Sequence, residues 1–139
     1  MSAAQKAGLR LRPYLFDDFV IGAEIGGADD VYDESMVLAW RRLFGPPQTP
    51  GAQAAGMAVA LMMRGYLRVV SPRPPGNVHA GQGLRLHALP QMGEQVRTVL
   101  TCAGKEIRRE RRFVEFAVTG TGKDRRSLFD GRLTLVWAA

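Results

Sequence analysis

The chain has 139 residues, a length that suits one compact domain and leaves little room for a second core. Its 46% hydrophobic and 23% charged content argues against disorder along the whole chain. One cysteine, Cys102, excludes an internal disulfide, and the net charge of +6 is largely arginine: all but Lys6, Lys105 and Lys123 of the 19 Lys+Arg residues are Arg.

Residues 1–13 read as a loose arm ending at Pro13, without the apolar core of a secretory leader, and 14–139 read as a single domain. With no disulfide to maintain, a cytoplasmic site is expected. Tyr14 to Gly22, rich in aromatic and branched residues, predicts a short strand or turn, and Glu24 to Tyr32 a second short strand. Asp33 then stands as a helix N-cap, with Met36, Val37, Trp40, Leu43 and Phe44 on one apolar face. Gly45 and Pro46-Pro47 stop that helix, and Arg41 and Arg42 occupy its last turn, where positive charge suits the dipole.

After the Pro46–Gly51 loop, Ala52 to about Val70 carries the strongest helical signal. It is apolar around most of its circumference until Arg64 and Arg68, so it must be enclosed on nearly all sides. Its apolar run is too short to cross a bilayer. The Ser71–Gly76 breaker follows, and the period then changes to two. Leu84/Leu86, Val96/Thr98/Leu100/Cys102, Val114/Phe116/Val118 and Leu133/Leu135/Trp137 predict four strands joined as an antiparallel meander. The predicted class is α+β: a sheet of five or six antiparallel strands wrapped around one long central helix. An exposed edge strand and an unfilled helix flank would remain, so pairing with a second subunit, identical or not, is expected.

Three segments carry a family resemblance. Phe16-Asp-Asp-Phe-Val-Ile-Gly22 resembles a "D-F-x-x-G" opening. Ala54-Ala-Gly-Met57 is similar to an "A-H-G-M" entry to a central helix. Leu84 to Glu94 resembles an "F-x-x-P-V-x-x-G-D" strand and turn. Together, in order and spacing over residues 14–138, they resemble the MaoC-like branch of hotdog proteins, the (R)-specific enoyl-thioester hydratases and dehydratases. The resemblance implies a hotdog fold and an acyl thioester, such as an acyl-CoA, as ligand. It also implies an Asp-x-Asn-Pro-x-His motif between the first and central helices, whose Asp and His handle the water. Here the corresponding stretch, Leu43 to Gln53, holds no His, Asp or Glu, and Ala55 replaces the His of "A-H-G". General acid–base chemistry needs a titratable pair, so no catalytic residue can be named.

The substrate-binding candidates are Gln53, Ala55, Gly56 and Met57. By resemblance, backbone N–H groups at Gly56 and Met57 polarise a thioester carbonyl, in keeping with the positive end of a helix. Equally, Gly56 could mark close packing by a strand. Gln48, Thr49 and Gln53 could orient a ligand in the loop, though solvation is the simpler reading of Gln48 and Thr49. His79 and His87 are read as surface or edge residues, and of Asp33 and Glu34, which could serve as a base, Asp33 is read as a cap. Cys102 is read as a small hydrophobe, and Glu94 as part of a turn. Arg64 and Arg68 could meet a phosphate or snorkel out of the core. No metal-ligand spacing or phosphate-cradling glycine loop is present, so neither metal nor cofactor is implied. The arginine excess suits a phosphorylated ligand such as coenzyme A, nucleic acid, or a compositional bias alone, and nucleic acid is the least favoured partner. Two readings stand: an acyl-thioester-binding subunit without the catalytic pair, and an active hydratase, dehydratase or thioesterase using other groups.

Overall fold

Asp33 begins the first helix as its sequence position predicts: its Oδ1 accepts the Met36 N–H at 2.9 Å. That bond, with the Ser35 hydroxyl, holds the Asp33 carboxyl below the usual carboxylate range. The computed structural model describes residues 10–49 and 51–139. They form a 3-10 turn (Phe16–Asp18), β1 (Glu24–Tyr32), α1 (Glu34–Phe44), α2 (Ala52–Val69), β2 (Val78–Leu86), β3 (Glu94–Arg108), β4 (Arg111–Thr121), a second 3-10 turn (Lys123–Arg125) and β5 (Ser127–Trp137). Gly45 closes α1 at a positive φ of 76°, its N–H reaching Arg41 O at 2.8 Å. Arg73 closes α2, its Nη1 donating to Leu67 O at 2.9 Å and Val70 O at 2.8 Å.

Of the arm expected over residues 1–13, residues 1–9 lie outside the described part. Arg10 and Arg12 both reach the Asp18 carboxylate, at 2.6 and 3.0 Å. Asp18 Oδ2 also accepts the Leu15 N–H at 2.8 Å. This local bonding folds the segment before Gly22 into a 3-10 turn, and the strand alternative for Tyr14–Gly22 falls away.

The five strands form one antiparallel sheet in the order β1-β3-β4-β5-β2. The predicted meander holds for β3-β4-β5 only. β2 precedes β3 in the chain yet pairs with β5, Leu84 opposite Gly131, because α2 and the proline-rich segment carry the chain to the far edge. Asn77 Oδ1 secures that crossing by accepting the Ala138 N–H at 2.8 Å.

The sheet curls around α2, which touches every strand. Leu61, Met62 and Val69 of the helix pack with Val96, Leu100, Phe116, Leu133 and Trp137 in a dry core. Each such side chain stabilises the fold by roughly 1.5–3 kcal/mol relative to exposure. Trp137 also donates its Nε1–H to Tyr14 O at 2.8 Å, so the last strand pins the segment before the first. A Cβ at Gly65 would lie only 2.5 Å from Thr98 Cγ2, which shows how closely α2 approaches β3. The other flank of α2 is less covered: Ala55, Val59 and Met63 are half-buried and Leu67 is 46% exposed. Beside it runs β2, an edge strand with an exposed beginning, Val78 to Ala80.

Candidate functional site

The residues expected to bind substrate gather where α2 begins. Ala55 N–H already bonds to Gly51 O at 3.0 Å, and Ala52 N–H to Thr49 O at 3.2 Å. Among the described residues, which leave out residue 50, no partner accepts the first-turn N–H groups of Gln53 and Ala54, three residues ahead of Gly56 and Met57. Trp40 of α1 lies over Gly56, where a Cβ would come within 2.7 Å of its ring. The close packing at Gly56 is real, and its partner is a helix rather than a strand. Met57 is 1% exposed, enclosed with Tyr32 and Val37. Ala55 sits on the half-buried flank. Gln53 is held by Arg41, whose Nε donates to its Oε1 at 3.0 Å.

Gln53 and Ala54 border a recess of about 440 Å³ together with Tyr32, Gln48 and Thr49. A neighbouring recess of about 310 Å³ lies under Trp40 and Phe44 and shares Gln48, Thr49 and Gln53. Gln48 and Thr49, read as solvated loop residues, thus line the same space as the predicted Gln53. Amide, hydroxyl and backbone groups can orient a carbonyl there. The lining contains no carboxylate or imidazole. Asp33 and Glu34 do not line either recess, and the Asp33 oxygen is committed to its cap.

The remaining candidates lie elsewhere. Arg64 and Arg68 neither meet a cavity nor simply snorkel: both face Asp30 of β1, at 2.8 and 3.7 Å, and Arg68 donates to Asp29 O. His87 pairs with Asp130 of β5, a carboxylate 43 positions away that local sequence could not reveal. Arg85 and His87 alternate with the core-packed Leu84 and Leu86, which places this pair on the outer face of the sheet, away from α2. His79 borders a separate recess of about 330 Å³ near Tyr66 and Arg73. Cys102 is fully buried and its thiol is pushed up by burial. Among the described residues no three His, Cys, Asp or Glu groups cluster as a metal site. No described helix is long and apolar enough to cross a membrane.

Glu94 is the largest underestimate of the sequence reading. Its nearly buried carboxylate accepts Arg126 Nη2 at 2.5 Å and the N–H groups of Gln91 and Lys123, both at 2.9 Å. Burial works to raise its pKa, but these bonds outweigh it and hold the group below its ordinary value.

Known structures share this architecture. A MaoC-like dehydratase from Rhodospirillum rubrum superposes with a TM-score of 0.69 at 14% identity, over 91% of this chain and 98% of that one. The fold is the hotdog of the MaoC-like dehydratases. A mutant of the fluoroacetyl-CoA-specific thioesterase FlK matches at a TM-score of 0.64 and 18% identity, over 85% of this chain and 87% of that one. The ChsH1-ChsH2 complex from Mycobacterium tuberculosis contributes a chain at 0.62 and 14% identity, over 86% of this chain and 98% of its own. No family model matches the sequence, and no curated protein does.

Proposed function

We propose that this hotdog protein binds an acyl thioester of the acyl-CoA type where α2 begins, and serves as the non-catalytic subunit of a dehydratase assembly. One observation carries the reading: the recess there is lined by Gln48, Thr49, Gln53 and the first turn of α2, but by no carboxylate or imidazole. Such a lining can bind and polarise a carbonyl, yet it cannot pass a proton to or from water. In this reading Gln53 and the first-turn N–H groups receive the thioester carbonyl. Gly56, packed under Trp40, and Met57, enclosed with Tyr32 and Val37, back the turn that carries these groups, while Ala55 lies on the half-buried flank.

The exposed start of β2 and the thinly covered flank of α2 are the surfaces through which a second hotdog subunit would join. The ChsH1-ChsH2 complex that contains the Mycobacterium tuberculosis neighbour supports a paired arrangement, and the thioesterase neighbour supports a CoA ligand. A cytoplasmic site suits both.

The test uses the purified chain in two assays. A thermal-shift series with acyl-CoAs of increasing chain length should show at least one stabilising ligand. A ligand at a hundred times its Kd stabilises the native state by about 2.7 kcal/mol. In parallel, crotonyl-CoA should not be hydrated by this chain alone. Turnover by the pure protein would overturn the non-catalytic assignment in favour of an active hydratase, and no shift with any thioester would overturn the ligand.

A further inference from the structure

The segment that follows β2 separates the recess at the head of α2 from a second, larger space. Gly93 N–H donates to Tyr32 O at 2.7 Å, and Leu89 lies 3.0 Å from where a Cβ on Gly51 would sit. Tyr32 and Gly51 line the first recess, and on the other side of Gly93 opens a trough of about 1070 Å³. Arg97, Lys123 and Arg125 border it, with Asp29, Glu94 and Asp124 as the acids.

These acids are mostly spent. Glu94 is neutralised by Arg126 and by two backbone N–H groups, and Asp29 pairs with Arg97 at 3.0 Å. Lys123 and Arg125 have no ion-pair partner among the described residues and are exposed, with Asp124 between them. Asp124 and Arg125 both hold positive φ, 56° and 59°, a conformation that L side chains adopt at a cost. The turn thus sets two free cations on the rim of a trough that begins one residue from the proposed thioester site. A flexible cation pair over an open trough suits phosphate oxygens, which accept several such donors at once.

We propose that this trough receives the phosphate-bearing end of the thioester's pantetheine arm, with Lys123 and Arg125 as its anion contacts. The inference rests on the acyl-thioester reading above. The phosphate belongs either to coenzyme A or to a carrier protein's phosphopantetheine, and the two share this chemistry.

The experiment titrates the full chain calorimetrically with butyryl-CoA, butyryl-phosphopantetheine and the butyryl thioester of N-acetylcysteamine, which has no phosphate. The comparison protein carries Lys123→Gln and Arg125→Gln, two exposed side chains whose loss leaves the Lys123 N–H bond to Glu94 in place. Butyryl-CoA should bind the parent at least tenfold more tightly than the phosphate-free thioester, and the double variant should lose that advantage while binding the phosphate-free thioester unchanged. An equal advantage for butyryl-phosphopantetheine assigns the site to the single phosphate of a carrier arm, and a smaller one assigns it to the coenzyme A nucleotide. An undiminished preference for butyryl-CoA in the double variant overturns the proposal. Adenosine 3′,5′-bisphosphate separates the two readings. If no thioester binds, the acyl-thioester reading fails, and binding of this nucleotide to the parent but not the variant would still establish the anion site. Absence of nucleotide binding as well would end both.

Discussion

Gly65 sets two tendencies of the chain against each other, and the structure says which wins. Replacing glycine by alanine inside a helix stabilises it by about 0.8–1.0 kcal/mol when nothing opposes the new methyl. At Gly65 the new Cβ would lie 2.5 Å from Thr98 Cγ2, 2.8 Å from Thr98 Cβ and 3.3 Å from its Oγ1. Thr98 is 2% exposed in the middle of β3, held between Ala28 and Gly120, so it cannot swing aside. Overpacking of this kind costs about 1–3 kcal/mol. Gly65→Ala should therefore lose up to about 2 kcal/mol, and about 1 kcal/mol at the middle of these ranges. Adding Thr98→Ser, which removes the methyl at 2.5 Å but leaves the Cβ at 2.8 Å, should restore part of that loss relative to Thr98→Ser alone. The assay is urea unfolding at fixed protein concentration, followed by the fluorescence of Trp40 and Trp137 together, with the midpoint falling and the slope unchanged. A midpoint that stays or rises in Gly65→Ala would show that α2 can lift from the sheet, and the reasoning would be wrong.

Other outcomes follow from the same packing. Glu94→Ala should cost about 2–4 kcal/mol, because Arg126 and two backbone N–H groups lose a nearly buried acceptor, as denaturant titration would show. Since the folded Glu94 pKa is lowered, its stabilisation is complete above the ordinary value of 4.5 and disappears as the pH falls through the folded value. The parent protein should therefore lose more stability on acidification than Glu94→Gln, measured by midpoint against pH. Trp137→Phe keeps the ring but leaves Tyr14 O without its 2.8 Å donor, a loss of about 0.5–1.5 kcal/mol beyond the smaller ring's packing, read by thermal unfolding. Cys102 should resist a thiol reagent in the native protein and react at once in urea; rapid native labelling would contradict its burial.

The helices were legible because their signals are local. Asp33, Gly45 and the apolar girth of α2 each act within a turn or two of their own position, and α1 keeps its predicted bounds, Glu34 to Phe44. The strands were legible as strands, through alternation, but their neighbours were not. Nothing near Val78 announces that β2 will pair with β5 rather than β3, since that choice is made by the path of the chain across α2. The start of α2 at Ala52 was legible from its sequence, but which of the residues near it border a recess was not: Gln53 does, with Gln48 and Thr49, while Ala55, Gly56 and Met57 do not. Glu94 with Arg126 and His87 with Asp130 escaped notice for one reason: each joins residues 32 and 43 positions apart, and a single sequence does not encode such meetings.

The bond from Phe16 N–H to Ala139 O, at 2.8 Å, together with that of Trp137 to Tyr14, brings the segment before β1 beside the end of β5. Two segments that adjoin in this way can be joined to each other. The exposed β3–β4 tip at Arg109 and Glu110, where both residues hold positive φ, offers a place to open the chain. Joining residue 139 to the leading segment and cutting at that tip would give a permuted chain with every strand pairing retained. The backbone tension at the tip would be released in the process, so the permutant could outlast its parent on heating.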